Sequence, residues 1–416
     1  MIRSINLIIL LLIGFLPFHT LIIDKILSQS ISYLNLWKEL FIIVLFLLSL
    51  ILNKSQKINN NNLYLIYGIF SLFILCITFM NTFNYESLKF IRYYLFPPLL
   101  LITLSSIQFD ENLRVKFYSY YIIVAIISVF FGFIQVHFLG DQFLLNLGYP
   151  RWIWDQNRLD FAFYISGLDL QRMCSGFIGP IPFGTYLLSA LLLEFSIKRK
   201  KLNYKIIIIT VLLFGIFSAM NRSVIISLFL ILIIFYKNKI FKVENFKLYS
   251  IILFILLIIY FYLNIFNYEL LNKIFSFPLI NNFLYFKDDP SFRGHLNSWK
   301  DVIDYIDISF TGVGPGFFGK VEMLEENYYF KTKAIESTFL SGLVEIGIIG
   351  LTLYVILLIK IFLTSYKKSL TRQYIFFYFL ISIILPLQYY SELNYLLFLI
   401  MGLEMSKKIN THNEVL

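Results

Sequence analysis

Three arginines and a glutamate carry the chemistry most open to use in this chain. Arg222 sits in the short polar turn Ala219-Met220-Asn221-Arg222 between two apolar blocks. A charge at that depth is costly unless it faces a cavity or a partner, although a long side chain can also snorkel and anchor its span. Arg293 and His295 follow Asp289-Pro290, a favourable N-cap and N1 pair for a helix. The free N–H groups and dipole of such a helix start favour an anion there. The same arginine is also within reach of Asp288 or Asp304 as a salt-bridge partner. Glu336 stands where the chain re-enters an apolar run at Glu336-Ser337-Thr338. A carboxylate at a cavity mouth can take a proton from a sugar hydroxyl, and an acid at a helix start is also what the dipole alone selects.

A second constellation lies at Tyr149-Pro150-Arg151-Trp152-Ile153-Trp154-Asp155-Gln156-Asn157-Arg158, with Arg172 further on. Rings such as Trp152 and Trp154 stack on sugar faces, and Arg151 and Arg158 can grip phosphate bidentately. The same composition builds an interfacial aromatic belt. Gly312-Val313-Gly314-Pro315-Gly316 permits tight turns and close backbone approach, but no Gly-Lys-Ser/Thr follows it as a P-loop requires. Glu345 lies inside an apolar run, which makes it functional or buried and paired. Nine residues separate it from Glu336. On an uninterrupted helix the two point to opposite faces and do not form one catalytic pair. The four histidines are scattered and offer no metal-ligand spacing, and Cys76 and Cys174 are too far apart in the chain to suggest a disulfide framework.

These residues must be held by membrane helices. Of 416 residues, 59% are hydrophobic and 14% charged, against about a quarter charged in soluble domains. A ruler of about 20 apolar residues per crossing places spans near 5–23, 34–52, 63–80, 90–107, 117–139, 174–196, 204–220, 222–236, 248–266, 337–363, 373–387 and 391–405. The chain therefore reads as an all-α, polytopic integral membrane protein of about twelve helices in a single domain, 1–416. A first long outer loop covers 140–173, and a large outer loop covers 267–336 with a short amphipathic helix over 290–307. The block after Arg3 has no small-x-small cleavage site and reads as a retained helix. Pro97-Pro98 calls for a kink buried among neighbours.

The net charge of +10 does not mark a nucleic-acid partner, because the basic residues gather in short loops. Nineteen lysines and arginines fall on one side of this topology and five on the short segments of the other. The bias puts both termini in the cytoplasm and the two long loops, with the Asn221-Arg222 turn, outside.

Taken in order, these pieces resemble the bacterial O-antigen polymerase and O-antigen ligase family, which includes the Wzy-type polysaccharide polymerases. The residues that carry the resemblance are Arg172-Met173-Cys174-Ser175-Gly176-Phe177 with Gly179-Pro180, Asn221-Arg222-Ser223, Arg293-Gly294 before Trp299, and Thr311-Gly312-Val313-Gly314. They continue with Glu336-Ser337-Thr338-Phe339-Leu340 and Glu345-Ile346-Gly347-Ile348-Ile349-Gly350. The resemblance implies a glycosyltransferase of the inner membrane working on its periplasmic side, with undecaprenyl-pyrophosphate-linked glycans as substrates and no cofactor, nucleotide sugar or metal. It implies that Arg172, Arg222 and Arg293 clamp pyrophosphate and that Glu336 acts as base. Apart from the resemblance, Arg151, Trp152, Trp154, Arg158 and His295 are the residues open to glycan contact. Membrane lipids, a chain-length regulator and a flippase are the implied partners. Similar ligases carry a histidine at the position of Glu336, so the resemblance favours polymerisation of repeat units of an O-antigen, capsule or other surface polysaccharide over ligation to lipid A-core. A flippase of lipid-linked oligosaccharides is the rival of another class; the chain lacks the two-half symmetry that would favour it.

Overall fold

The computed structural model describes residues 1–27, 32–53, 61–82, 85–152, 155–160, 163–164, 171–197, 202–240, 300, 310–316, 337–365, 369–385, 387 and 390–408. The span at 248–266, the helix at 290–307 and the residues Trp154, Arg293, His295 and Glu336 lie outside them. The described chain is all-α apart from two small two-stranded pairings. The helices are α1 (Ile2–Phe15), α2 (Trp37–Asn53), α3 (Asn61–Thr82), α4 (Tyr85–Ser106), α5 (Glu111–Ile134), α6 (Gly140–Asn146), α7 (Pro180–Ser196), α8 (Leu202–Ser218), α9 (Arg222–Ile240), α10 (Thr338–Thr364), α11 (Ser369–Ile384) and α12 (Ser391–Met405).

Four helices, Leu34–Leu52, Asn62–Met80, Glu111–Asn146 and Thr338–Thr364, are each long and apolar enough to cross a bilayer by themselves. Other apolar helices are shorter, at 10–17 residues. Every predicted span but 248–266 coincides with a described helix, with two differences of shape. The first is not straight: Pro17 opens a short 3-10 turn, and the chain bends by 70° into a π-helical segment, Thr20–Leu27. The sixth begins at Pro180, where proline fits N1 without losing a helical hydrogen bond, so 174–179 forms a loop before it.

The chain divides into two compact units. One comprises Met1–Ile8, Trp37–Arg114 and Pro290–Leu416. Within it α12 is buried along most of its length and packs on α4, which also meets α2 and α3. A helix that is apolar all round needs such a surrounding. Pro97 and Pro98 are both buried inside α4, and Tyr67 donates to the Leu95 carbonyl at 3.1 Å beside them. A short parallel pairing of β1 (Gln108–Phe109) with β4 (Lys407–Lys408) joins the ends of α4 and α12.

The other unit comprises Ile9–Leu36 and Val115–Asp289. Here α7 is buried from Pro180 to Glu194 with little interruption and packs against α8 and α9. The loop before α7 folds on itself: α6 and an antiparallel pair, β2 (Arg151–Trp152) with β3 (Asp155–Leu159), enclose a small core. That core includes Leu21, Leu144, Leu145, Tyr149, Leu159 and Phe163.

Candidate functional site

In the second unit the α8–α9 turn is built by local rules. Ala219 and Met220 donate their N–H groups back to Gly215 at 2.9 Å and Phe217 at 3.0 Å, closing α8. Met220 then adopts a left-handed φ of 48°, an uncommon conformation for a residue with a Cβ. Asn221 is the N-cap of α9. Its carbonyl accepts from Ile225 N at 3.0 Å and its Oδ1 accepts from Ser223 N at 3.0 Å, as a capping side chain does. Arg222 is thus the first helical residue and is exposed. No acidic residue occupies the first turn of α9.

The segment that carries Arg172 is stitched to this turn. Arg172 Nε donates to the Ala219 carbonyl at 2.9 Å, and Met173 N donates to Ser218 O at 3.1 Å. Arg172 N is held by Phe163 O at 2.8 Å. Behind it, Gln135 is fully buried in a π-helical turn, Gln135–Leu139, that extends α5. Its amide accepts from Ser175 N at 2.9 Å and donates to Cys174 Sγ at 3.1 Å. Ser175, at φ 54°, is thereby fixed in the left-handed region, and Leu21 N ties the next residue, Gly176, through its carbonyl at 3.3 Å. Two of the three arginines singled out in the sequence, Arg172 and Arg222, are therefore drawn to one turn. Gln135 had no sequence signal beyond a polar residue at the end of an apolar block.

Of the residues offered for glycan contact, Arg151 is exposed on β2. Arg158 is engaged within the loop: its guanidinium carbon lies 4.2 Å from the centroid of the Tyr164 ring, and the Tyr164 hydroxyl donates to Asp141 Oδ2. Tyr149 anchors the hairpin to the Arg172 segment by donating to the Phe177 carbonyl at 3.2 Å. The loop is a folded hairpin with its own core and not a strip of side chains. His19 Nε2 and Asp24 Oδ1 lie 3.6 Å apart at the bend.

In the first unit the glycine run meets α10. Gly347 has φ 69° and ψ 180°, which breaks the helix. Carbonyls near the break accept from the glycine run: Val313 N reaches Val344 O at 2.9 Å, and Gly314 N reaches Glu345 O at 2.8 Å. Gly312, at φ 78°, comes so close that a Cβ there would sit 2.5 Å from both Glu345 O and Gly347 N. The close backbone approach expected of this run is what it makes. Glu345 is fully buried; its carboxylate accepts from Tyr94 Oη at 2.7 Å and from Gly316 N at 3.0 Å.

The start of α10 is equally tied. Ser337 is its N-cap, accepting from Leu340 N at 3.4 Å, and Thr338 Oγ1 donates to Leu385 O at 2.7 Å while accepting from Leu387 N at 2.8 Å. Glu336 therefore immediately precedes a helix cap that is bonded to the end of α11.

The same unit holds a charged cluster whose two cations, Lys38 and Arg92, counted in the sequence only as topology markers and whose carboxylates carried no reading. Lys38, 1% exposed, lies 3.7 Å from Glu392 Oε1 and donates to Ser391 Oγ at 2.9 Å. Arg92 Nη1 lies 3.6 Å from Glu39 Oε1, which also accepts from Tyr395 Oη at 3.0 Å. Two cations and two carboxylates sum to zero charge, so the cluster compensates itself while joining α2, α4 and α12. Charges flanking three apolar blocks were the available signal; which of them pair was not.

Residues 206–355 match the family model described as O-antigen ligase. The match runs from α8 through the Asn221-Arg222 turn and the glycine run to Ser337, Thr338 and the first two-thirds of α10, and Arg172 lies before it. No curated protein matches the chain.

Proposed function

We propose that this membrane protein, whose O-antigen ligase family domain is consistent with the O-antigen polymerase and ligase family of glycosyl-transfer enzymes, polymerises lipid-linked repeat units of a surface polysaccharide. It moves the growing glycan from undecaprenyl pyrophosphate to the non-reducing end of a newly delivered lipid-linked repeat. Glu336 takes the proton of the acceptor hydroxyl, whose oxygen forms the new bond at the anomeric carbon. The bond from that carbon to pyrophosphate breaks on the opposite face, inverting the configuration. The electron pair leaves with the lipid pyrophosphate, where Arg172, Arg222 and Arg293 neutralise the developing charge. Positioned cations of this kind are the electrostatic form of catalysis, and the scheme needs no metal. The reaction is placed on the periplasmic side of the inner membrane, with both termini cytoplasmic.

One observation carries the reading. The hydrogen bond from Arg172 Nε to Ala219 O holds one arginine against the turn that presents another, at a helix start with no acid in its first turn. A helix N-terminus is positive and favours anions. Two arginines added there make a site suited to a pyrophosphate.

In cells lacking the native gene, Arg222→Ala or Glu336→Ala should leave glycans of a single repeat on gel analysis. Normal long chains in both variants would overturn the assignment. The description of the matching family favours a second reading, ligation of finished polymer to lipid A-core. Loss of the gene would then leave normal polymer on the carrier lipid and none on lipid A-core.

A further inference from the structure

Asn221 does more than a cap requires. Its Oδ1 is committed to Ser223 N, which also settles the orientation of the amide: the atom facing an N–H must be the oxygen. The nitrogen, Nδ2, is then a buried donor with no hydrogen-bond partner among the described residues. Asn221 as a whole is 5% exposed. Capping does not account for this, because serine, threonine and aspartate cap as well and would leave no amide donor behind. Nor does backbone conformation, since the left-handed residue of the turn is Met220. A buried donor without an acceptor is disfavoured and calls for a partner beyond the described residues. The surroundings decide its charge. The donor sits at the positive end of α9, a helix of 19 residues, beside Arg222 and two residues from the carbonyl that holds Arg172.

We propose that Asn221 Nδ2 is a substrate-binding donor that takes a pyrophosphate oxygen of the lipid carrier. This rests on the reading of the turn as the pyrophosphate site and adds to it an uncharged contact that fixes where the anion lies relative to α9. A guanidinium attracts an anion over a broad range of positions, whereas an amide locked by its own oxygen accepts one.

The test uses the full-length protein in detergent, with farnesyl pyrophosphate as a soluble polyprenyl pyrophosphate and inorganic pyrophosphate alongside to separate the lipid from the headgroup. Asn221→Asp keeps the capping oxygen and replaces the donor with a negative charge; Asn221→Ser keeps a capping oxygen and removes the donor. Both should melt at or near the wild-type temperature, the aspartate variant helped by the helix dipole. Affinity for both probes should fall about tenfold in Asn221→Ser, the loss of one hydrogen bond to a charged group, and further in Asn221→Asp. Wild-type affinity in Asn221→Ser, with Arg172→Ala weakened, would mean that Nδ2 meets only a structural water, and the assignment would fall while the pyrophosphate reading stood. Wild-type affinity in both Arg172→Ala and Arg222→Ala would remove the pyrophosphate site itself, and the role of Asn221 with it.

Discussion

Glu345 has both carboxylate oxygens spoken for at zero exposure, one by the Tyr94 hydroxyl and one by the Gly316 N–H. Those bonds make it a clasp on the glycine run. Glu345→Ala should therefore strand two buried donors and open a cavity. We expect a loss of about 3–5 kcal/mol of stability, read as a lowered melting temperature in detergent, while Glu345→Gln, which keeps one acceptor, loses less. A catalytic role would show the reverse pattern, with folding intact and turnover gone in both variants. The sequence marked this carboxylate as either functional or buried and paired, from its place in an apolar run. It did not name Tyr94, which is 251 residues away, because nothing along a chain records which helices will lie side by side. Arg222 was readable at the same level: its turn, cap and helix start are set within five residues. The bond that adds Arg172 to it spans 47 residues and was not.

At the scale of the element, α10 is the informative case. Its apolar run is long enough to span by itself, and its start follows from Ser337 as N-cap. The interruption at Gly347 is different, because Gly342 and Gly350 sit in the same run and neither breaks it. What selects Gly347 is the arrival of Gly312, whose backbone N would lie 2.4 Å from a Cβ at Gly347. Gly347→Ala must then bear a φ of 69° with a ψ of 180°, a region that is essentially glycine's alone and costs about 1–3 kcal/mol, together with that clash. The variant should lose stability more than Gly342→Ala, whose added methyl would meet only Leu351 Cδ1 at 3.6 Å. Equal melting temperatures for the two would show that the contact between the run and the break contributes nothing. Pro97-Pro98 gives the opposite lesson. That a double proline inside a helix needs buried surroundings follows from its missing N–H groups alone, and both residues are buried.

At the scale of the molecule, the cluster of Lys38, Glu39, Arg92 and Glu392 in the first unit joins three helices. A buried ion pair is a weak source of net stability, but removing one partner leaves a charge stranded, at about 3–5 kcal/mol. Lys38→Met alone and Glu392→Leu alone should each destabilise strongly, and the double variant should recover much of the loss; additive losses in the double-mutant cycle would show that the two do not act as a pair. That the chain is an all-α membrane protein, and where most of its described helices lie, was determined by sequence alone, because apolar length acts over a few residues. Tertiary structure decided the rest: that Lys38 meets Ser391 across 353 residues, that Glu345 holds the glycine run, and that Arg172 comes to the Asn221-Arg222 turn. Each depends on which helices become neighbours. Packing of surfaces sets that choice, and one-dimensional periodicity does not encode it.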